Sequence, residues 1–355
     1  MKNKGTIMYL YIYQNRHIKN EVFKIEKHSY IVLENDFSKP MWELYFNHHK
    51  LTSLEKTINY VTQDKFLNKE FKMKFDVIVG NPPYQKRVGP SKTEPIWNKV
   101  VEKSIEQLKD GGEISIIHPI GWRAVGGKPS IKKIFNLYKT YNLTRVDMHD
   151  IKDGMKTFNA KTPYDVVYLK KEPYQNKTEL NFMDGTQEIV DIGDMNFIPN
   201  SRLSEVMNLV AKPNEEKVEV LFSSSIYETR HKHMSPTKVG EFKYPCVYTI
   251  LGDETTNLYY SNVKKDFFGI PKLIIALGLN PTFKMDLEGE YGMTQFCYAI
   301  VDTKENLPKI LKAIKSDKFQ ELITSSTKFT NTIGGPLIHN RVLELFRKDF
   351  WKEFV

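Results

Sequence analysis

Residues 81–84 read Asn-Pro-Pro-Tyr and directly follow the apolar run FDVIVG of residues 75–80. Each proline fixes its own φ and lacks a backbone donor, and it also holds the residue before it in an extended conformation. The side-chain oxygen of Asn81 and the backbone carbonyl oxygen of Pro82 are therefore acceptors with few partners inside the loop. We expect two acceptors at one point to suit an exocyclic amino group on an aromatic ring.

Such an amino nitrogen is a weak nucleophile because its lone pair is delocalised into the ring. Acceptors that take both N–H bonds favour a pyramidal nitrogen, and they stabilise the positive charge that develops on it during attack on an electrophile. The ring of Tyr84 can stack on the face of a base that has left its helix. A surface turn with two prolines is the alternative, and the apolar strand before the loop makes it less favoured.

The segments around this loop predict an open α/β sheet. Apolar runs predict strands at 29–37, 58–66, 74–80, 113–119, 144–150 and 163–171. Helical periodicity predicts helices within 94–112 and 128–141, and strands that alternate with helices favour a mainly parallel sheet covered on both faces. Ligands of such sheets bind beyond the carboxyl ends of the strands, which is where the loop is expected.

The composition favours a polyanionic partner. The chain has 355 residues, enough for two domains, and a formal net charge of +9. Two cysteines without a CxxC pair fit a reducing cytoplasm, and the histidine pairs lack matching zinc ligands, so no metal site is expected. The opening MKNKGTIMYLYIYQNR is interpreted as a strand, not a signal peptide, and no apolar run reaches membrane-spanning length.

Several motifs around the loop carry a family resemblance. The run FDVIVGNPPYQ closely resembles the catalytic motif of S-adenosylmethionine-dependent N6-adenine DNA methyltransferases of restriction-modification systems. VTQDKFLNKEFKMKFDVIVGNPPY resembles that family's acidic cofactor motif running into the catalytic one, SIEQLKDGGEISIIHP its next helix and strand, and FNAKTPYDVVYLKK a late motif. The resemblance spans about residues 58–171. It implies a Rossmann-like class I methyltransferase sheet, S-adenosylmethionine as cofactor and double-stranded DNA as partner.

The resemblance implies a role in target binding for residues of the loop and after it. The catalytic residues that would hold the target adenine are Asn81, Pro82, Pro83 and Tyr84. Phe158, in the late motif, would pack against the flipped base. Lys86 and Arg87 follow the loop directly and are expected to contact phosphates of the target strand.

On the cofactor side, the resemblance implies that Asp64 binds the adenine amine, with Phe66 beside it, and that Glu34 holds the ribose hydroxyls. The family also has a glycine-rich turn that lets the backbone approach the methionine part of the cofactor. This chain has no glycine between Gly5 and Gly80. Three hypotheses remain open: one half of a split methyltransferase, weak or altered cofactor binding, or a relative that binds DNA without methylating it.

The expected domains are a catalytic domain at 1–172, a crossing linker at 173–195 that can hold one hairpin, and an α+β DNA target-recognition domain at 196–355. In the resembling family, target recognition follows the catalytic fold. The late loop STKFTNTIGGPLIHNR offers side chains that could contact phosphates or base edges. These are Lys328, Asn331, His339, Asn340 and Arg341.

Other functions were weighed against DNA methylation. Methyltransferases with this motif that modify protein glutamine or RNA bases usually lack a large domain after it, and the long second half argues against them. A non-catalytic DNA-binding or specificity subunit is favoured by the absent glycine turn and disfavoured by the intact motif. A nuclease is not expected, because no cluster of acids with a lysine stands out. A cognate restriction endonuclease, or a second chain that supplies the cofactor motif, is a further expected partner.

Overall fold

The computed structural model describes residues 7–10, 30–33, 59–68, 71–125, 129–252, 255–277, 281–326 and 340–355. The chain divides into two compact units, Met1–Ile198 and Pro199–Val355. Four residues with expected roles lie outside the described residues: Glu34, Lys328, Asn331 and His339.

The first unit is built on a mixed sheet. Its strands are β1 (Ile7–Leu10), β2 (Tyr30–Leu33), β3 (Asn59–Thr62), β4 (Phe75–Gly80), β5 (Gln85–Arg87), β6 (Thr93–Pro95), β7 (Leu108–Pro119), β8 (Tyr141–His149), β9 (Tyr164–Pro173), β10 (Thr178–Asn181) and β11 (Gln187–Val190). Nine of these described strands form one sheet in the order β11-β10-β8-β9-β7-β4-β1-β2-β3, while β5 and β6 form a separate hairpin.

Strand direction identifies the type of sheet. The run β3-β2-β1-β4-β7 is parallel throughout, and β9 is inserted antiparallel between β7 and β8. The chain builds outward from β1 to β3 on one side and from β4 to β7 on the other, so the order reverses between β1 and β4. Such a reversal is the switch point at which α/β sheets bind ligands. The predicted Rossmann-like α/β fold is confirmed.

Helices connect the strands of the first unit. They are α1 (Gln63–Leu67), α2 (Trp97–Gln107), α3 (Pro129–Thr140) and α4 (Ile151–Phe158), with a 3-10 turn at Ile120–Arg123. On α2 the apolar positions Val100, Val101 and Ile105 are buried, as the helical period predicts. On α4 the Asp150 carboxylate accepts from the backbone N–H of Asp153 at 2.9 Å and caps the first turn.

The segment 173–195 was expected to be a crossing linker that can hold one hairpin; a hairpin is present, and it is part of the sheet. Here β10 pairs in parallel with β8, and β11 returns antiparallel to it, so the segment forms the edge of the sheet. Leu180 is fully buried, and the Thr178 hydroxyl donates to the carbonyl oxygen of Leu143 at 2.8 Å. Because few apolar residues alternate with many polar ones, the composition resembles a linker although the strand is half buried.

The second unit combines sheets and helices. Its strands are β12 (Glu219–Leu221), β13 (Met234–Ser235), β14 (Tyr244–Ile250), β15 (Thr256–Ser261), β16 (Lys272–Ala276), β17 (Thr282–Asp286), β18 (Gly292–Met293) and β19 (Cys297–Val301). Its helices are α5 (Leu203–Leu209), α6 (Leu307–Lys315), α7 (Asp317–Ser326) and α8 (Asn340–Leu343), with a 3-10 turn at Phe350–Glu353. The described strands form two sheets, β12-β19-β16-β17 and β13-β15-β14-β18.

The core of the second unit holds both cysteines and one buried ion pair. Cys246 and Cys297 are buried, and burial raises the pKa of each thiol to about 12. Lys272 and Asp286 are buried and lie 2.6 Å apart across β16 and β17. Among the described residues of the chain, no helix is long and apolar enough to cross a membrane.

Candidate active site

The strand register places the carboxyl ends of five strands at one edge of the sheet. Leu10 at the end of β1 pairs with Gly80 at the end of β4, and Gly80 also pairs with Ile116 near the end of β7. On the other side, Leu33 at the end of β2 pairs with Thr62 at the end of β3. The 81–84 loop therefore leaves the sheet beside the switch point between β1 and β4.

The 81–84 loop is held in place by a backbone hydrogen bond and presents two acceptors. Pro82 is buried, and Asn81 is half-buried. The carbonyl oxygen of Tyr84 accepts from the backbone N–H of Ile96 at 3.2 Å, which attaches the loop to the residue before α2. Within the described ranges, neither the Asn81 side chain nor the Pro82 carbonyl has a hydrogen-bond partner. A rigid backbone thus holds two acceptors without intramolecular partners.

Tyr84 is directed into the protein, toward the start of β9. Its hydroxyl is buried and has no hydrogen-bond partner among the described residues. Burial raises the pKa of this hydroxyl well above its ordinary value, and the nearby Tyr164 and Asp165 raise it further. An unpaired buried hydroxyl costs about 1–3 kcal/mol, so a ligand atom or a water that reaches it stabilises the loop.

A buried carboxylate lies at the start of β9. Asp165 is fully buried and accepts from the indole N–H of Trp122 at 2.7 Å. The guanidinium of Arg123 donates to both of its oxygens, from Nε at 2.8 Å and from Nη2 at 3.2 Å. The same arginine donates from Nη1 to the carbonyl oxygen of Ile198 at 3.1 Å. This network fixes the 3-10 turn after β7 to the strand that faces Tyr84.

A buried histidine continues this network. His118 pairs with Asp165 across β7 and β9, and its Nε2 lies 2.7 Å from the hydroxyl oxygen of Tyr138. The imidazole stacks on Trp97 with ring centroids 4.8 Å apart. Burial lowers the pKa of His118 to about 4, so the ring is neutral near pH 7. The sequence shows the strand EISIIHP but nothing that would join His118 to Asp165, because that pairing depends on the β7–β9 register.

Phe158 lies beside the same strand end. Its ring meets Tyr164 edge-on with centroids 4.8 Å apart, and Tyr164 stacks on His149 at 4.5 Å. The close approach of α4 depends on Gly154, where a Cβ would overlap the carbonyl oxygen of Thr162. Since Tyr164 is also close enough to raise the pKa of Tyr84, the two aromatic residues expected at the target base have a common neighbour.

The two described residues with expected cofactor roles differ in accessibility. The Asp64 side chain is 87% exposed in the first turn of α1, directly after β3, and lies 3.7 Å from the Nζ of Lys86. Phe66 is fully buried, with its ring edge-on to Phe71 at 5.6 Å. Phe66 is therefore a core residue that supports α1, and its ring is not open to a ligand as the sequence suggested. In the parts of the chain that the structure describes, no three His, Cys, Asp or Glu side chains could hold a metal ion.

The expected DNA-contacting residues also divide into two groups. Lys86 is exposed, whereas the Arg87 guanidinium donates to the carbonyl oxygens of Gly89 and Pro90 and braces the turn between β5 and β6. In the second unit Asn340 is buried on α8. Arg341 is bound to the Glu344 carboxylate at 3.1 Å.

Comparisons with known proteins match the first part of the chain. A model of the Eco57I restriction-modification methylase family matches residues 9–152. The type I restriction-modification methyltransferase subunit from Streptococcus thermophilus is 14% identical with a TM-score of 0.34, covering 53% of this chain and 45% of that one. The M protein of the type I restriction enzyme EcoKI is 16% identical with a TM-score of 0.33, and the match covers 44% of this chain and 34% of that protein. TrmN from Thermus thermophilus is 12% identical with a TM-score of 0.28, and the match covers 47% of this chain and 44% of that protein.

The chain spans about a third to a half of the length of these three proteins. No curated protein sequence matches it. The family match includes β4, the 81–84 loop and the buried histidine of β7. The match over residues 9–152 confirms the resemblance to restriction-modification methyltransferases that the motifs predict.

Proposed function

We propose that this chain is a site-specific DNA methyltransferase that transfers a methyl group from S-adenosylmethionine to the N6 amine of a flipped adenine in double-stranded DNA. The observation that carries the proposal is the position of the 81–84 loop. It leaves β4 at the switch point of the sheet and presents two acceptors without intramolecular partners among the described residues. An adenine amine has two N–H donors to satisfy them.

In this proposal the chain activates the adenine amine. The Asn81 side-chain oxygen and the Pro82 carbonyl oxygen each accept one N–H, so the nitrogen lone pair leaves the plane of the base and points at the electrophile. S-adenosylmethionine, when bound, supplies an electrophilic methyl group on sulfur. With the cofactor bound, the nitrogen would take the methyl group, and the electron pair of the C–S bond would stay on sulfur. The surplus proton then leaves the nitrogen for water.

Tyr84 and Phe158 position the base in this proposal. Stacking on an aromatic ring is worth about 1–3 kcal/mol per base and does not depend on which base is present. Phe158 is half-buried beside Tyr164, so one ring face or edge remains open to a ligand. Tyr84 gains a hydrogen-bond partner or solvent for its hydroxyl if it turns toward the base.

The residues at the carboxyl edge fit the cofactor in part. Asp64 is an exposed carboxylate directly after β3, and a carboxylate is a suitable acceptor for the adenine amine of S-adenosylmethionine. Phe66, expected beside Asp64, has its ring in the core, so in this proposal it supports α1. The segment between Leu10 and Gly80 has no glycine, so a close backbone approach to the methionine part has no glycine turn to rely on there.

Incubation with labelled S-adenosylmethionine and duplex DNA of mixed sequence tests the proposal. We expect label in adenine with the wild-type chain, no label with Asn81→Ala, and reduced label with Tyr84→Ala. Asn136→Ala is a matched control, because it removes the same side chain from an exposed site on α3. Absence of label in the wild type at saturating cofactor, or full label with Asn81→Ala, would overturn the proposal.

The absent glycine turn favours a second candidate, a chain that binds DNA but needs a partner for methyl transfer. In that case the purified chain shows weak cofactor affinity, retards DNA on a gel and transfers no label. Addition of a second chain that supplies the cofactor motif then restores the label in adenine. Tight binding of S-adenosylmethionine to the purified chain in calorimetry would exclude both the split and the non-catalytic alternatives.

A further inference from the structure

Lysine recurs at every third position along α6 and into α7. These four exposed residues, the lysine stripe, are Lys309, Lys312, Lys315 and Lys318. The opposite side of α6 is its buried side, with Leu307, Ile310, Ala313 and Ile314 packed in the core. Because three residues turn a helix by about 300°, the lysines of α6 share the face that points away from this core.

The helix does not need this charge pattern for its own stability. Like charges three or four residues apart destabilise a helix by about 0.2–0.5 kcal/mol per pair. Asp317 is the only acid between residues 306 and 318, so α6 itself contains no acid that could form an i,i+4 pair with a lysine. The repulsion is relieved if a polyanion lies along the stripe.

Aromatic rings lie beside the lysines. The Nζ of Lys309 is 5.3 Å from the ring centroid of Trp351, and that of Lys318 is 5.5 Å from Phe354. Lys315 approaches Phe283 in the same way at 5.6 Å. Contact with a ring face holds the flexible lysine chain near one position at little electrostatic cost. Cations interleaved with aromatic rings are the combination that nucleic-acid surfaces use.

A cavity of about 850 Å³ adjoins the stripe at Lys309 and Trp351. Four acids line it as well: Glu216 and Asp349 are paired with cations outside the stripe, whereas Glu215 and Asp302 accept from neutral donors. Asp349 accepts from Arg347 at 2.6 Å and from Lys352 at 3.2 Å. Two of the four acids beside the stripe are therefore neutralised by cations that do not belong to it.

We propose that the lysine stripe binds the phosphate backbone of double-stranded DNA. This inference rests on the proposed function, since it names the face of the second unit that holds the DNA. The second unit has nearly as many acidic as basic residues, so the placement of the lysines, and not net charge, carries the inference. Such contacts supply salt-dependent affinity and read no sequence.

Fluorescence anisotropy with a labelled duplex of mixed sequence, titrated at several salt concentrations, tests the inference on the full chain. Each phosphate contact contributes about 0.9 to the slope of log K against log salt. For Lys309→Gln/Lys312→Gln we expect a slope less steep by about 1.8, and an affinity lower by roughly fivefold per lysine near 0.15 M salt. Lys232→Gln/Lys238→Gln, two exposed lysines of the same unit, is the matched control and should match the wild type.

Lys312→Ala guards against a folding effect, because this lysine lies over no ring in the described residues and alanine favours a helix. This single substitution should make the slope of log K against log salt less steep by about 0.9. The inference is overturned if the salt slope is unchanged in both Lys309→Gln/Lys312→Gln and Lys312→Ala. It is also overturned if the control Lys232→Gln/Lys238→Gln loses as much affinity as Lys309→Gln/Lys312→Gln. If label in adenine still depends on Asn81, the proposed function stands without the stripe. If the slope becomes less steep as expected but no label appears in adenine, DNA binding by the lysine stripe is supported and methyl transfer by this chain is contradicted.

Discussion

Asp165 is a carboxylate without solvent exposure whose acceptor capacity is used by Trp122 and Arg123. Replacement by alanine leaves the Arg123 guanidinium charged in a site from which water is excluded. Breaking a buried pair by removing one partner costs about 3–5 kcal/mol. We therefore expect Asp165→Ala to lower the free energy of unfolding of the first unit by an amount in this range.

The contacts that remain set the size of the loss. Arg123 keeps its hydrogen bond to the carbonyl oxygen of Ile198, so its charge is not left without any acceptor. Hydrogen bonds to charged groups are worth about 1.5–3 kcal/mol each, and Trp122 and Arg123 make three of them to Asp165. Asp165→Asn keeps the shape and one acceptor oxygen, so we expect a smaller loss of about 1–3 kcal/mol.

Urea unfolding followed by tryptophan fluorescence measures this loss. Two-unit chains do not unfold as a single two-state system, so the reporter must belong to one unit. A Trp351→Phe background leaves tryptophans only in the first unit. Glu102→Ala is the control, because it breaks a surface pair with Lys133 at 2.6 Å and should cost under about 1 kcal/mol. If Asp165→Ala costs no more than this control, the reasoning about the buried pair is refuted.

Three further outcomes follow from single contacts. Lys86→Met should strengthen binding of S-adenosylhomocysteine in calorimetry by up to about fivefold, because it releases Asp64 from an exposed pair worth at most about 1 kcal/mol; weaker binding would contradict this. Between pH 6.5 and about 4, His118 is protonated in the unfolded chain but not in the folded chain. The free energy of unfolding should therefore fall by roughly 3 kcal/mol as the pH is lowered through this window. His118→Gln should remove this pH dependence of the free energy of unfolding. Gly154→Ala should lower the melting temperature, although alanine normally favours a helix, because its Cβ overlaps the carbonyl oxygen of Thr162; an unchanged melting temperature would show that α4 can move aside.

The loop and the strand before it were predictable because their signals are local. An apolar run of strand length ends at Gly80, and two prolines set the conformation of the next residues without help from the rest of the fold. The parallel sheet followed from the alternation of strands and helices, which is also a property of neighbouring segments. Hence the position of Asn81 at the carboxyl edge of β4 agrees with what the sequence alone predicts.

The parts that sequence reasoning missed depend on strand pairing. His118 and Asp165 meet only because β7 and β9 pair antiparallel in one register, and a shift of one residue would turn both to other faces. For the hairpin at 173–195, the sequence did not show that it extends the sheet, because its addition depends on β8 as a parallel neighbour and not on strongly apolar residues of its own. For Phe66, an aromatic residue after an acid suggested a ligand, whereas the three-dimensional packing places it under α1 beside Phe71.

The two halves of the carboxyl edge are built differently. β1 ends at Leu10 beside Gly80, so the end of β1 shares the switch point with the start of the 81–84 loop. No residue from 11 to 29 is a glycine, and a Cβ at each position restricts both positive φ and close approach of a ligand to the backbone. In the proposed function, target-base binding relies on the acceptors of Asn81 and Pro82, whereas cofactor binding relies on exposed side chains such as Asp64, which lies 3.7 Å from the Nζ of Lys86. We therefore expect cofactor affinity, and not the positioning of the adenine amine, to limit methyl transfer by this chain.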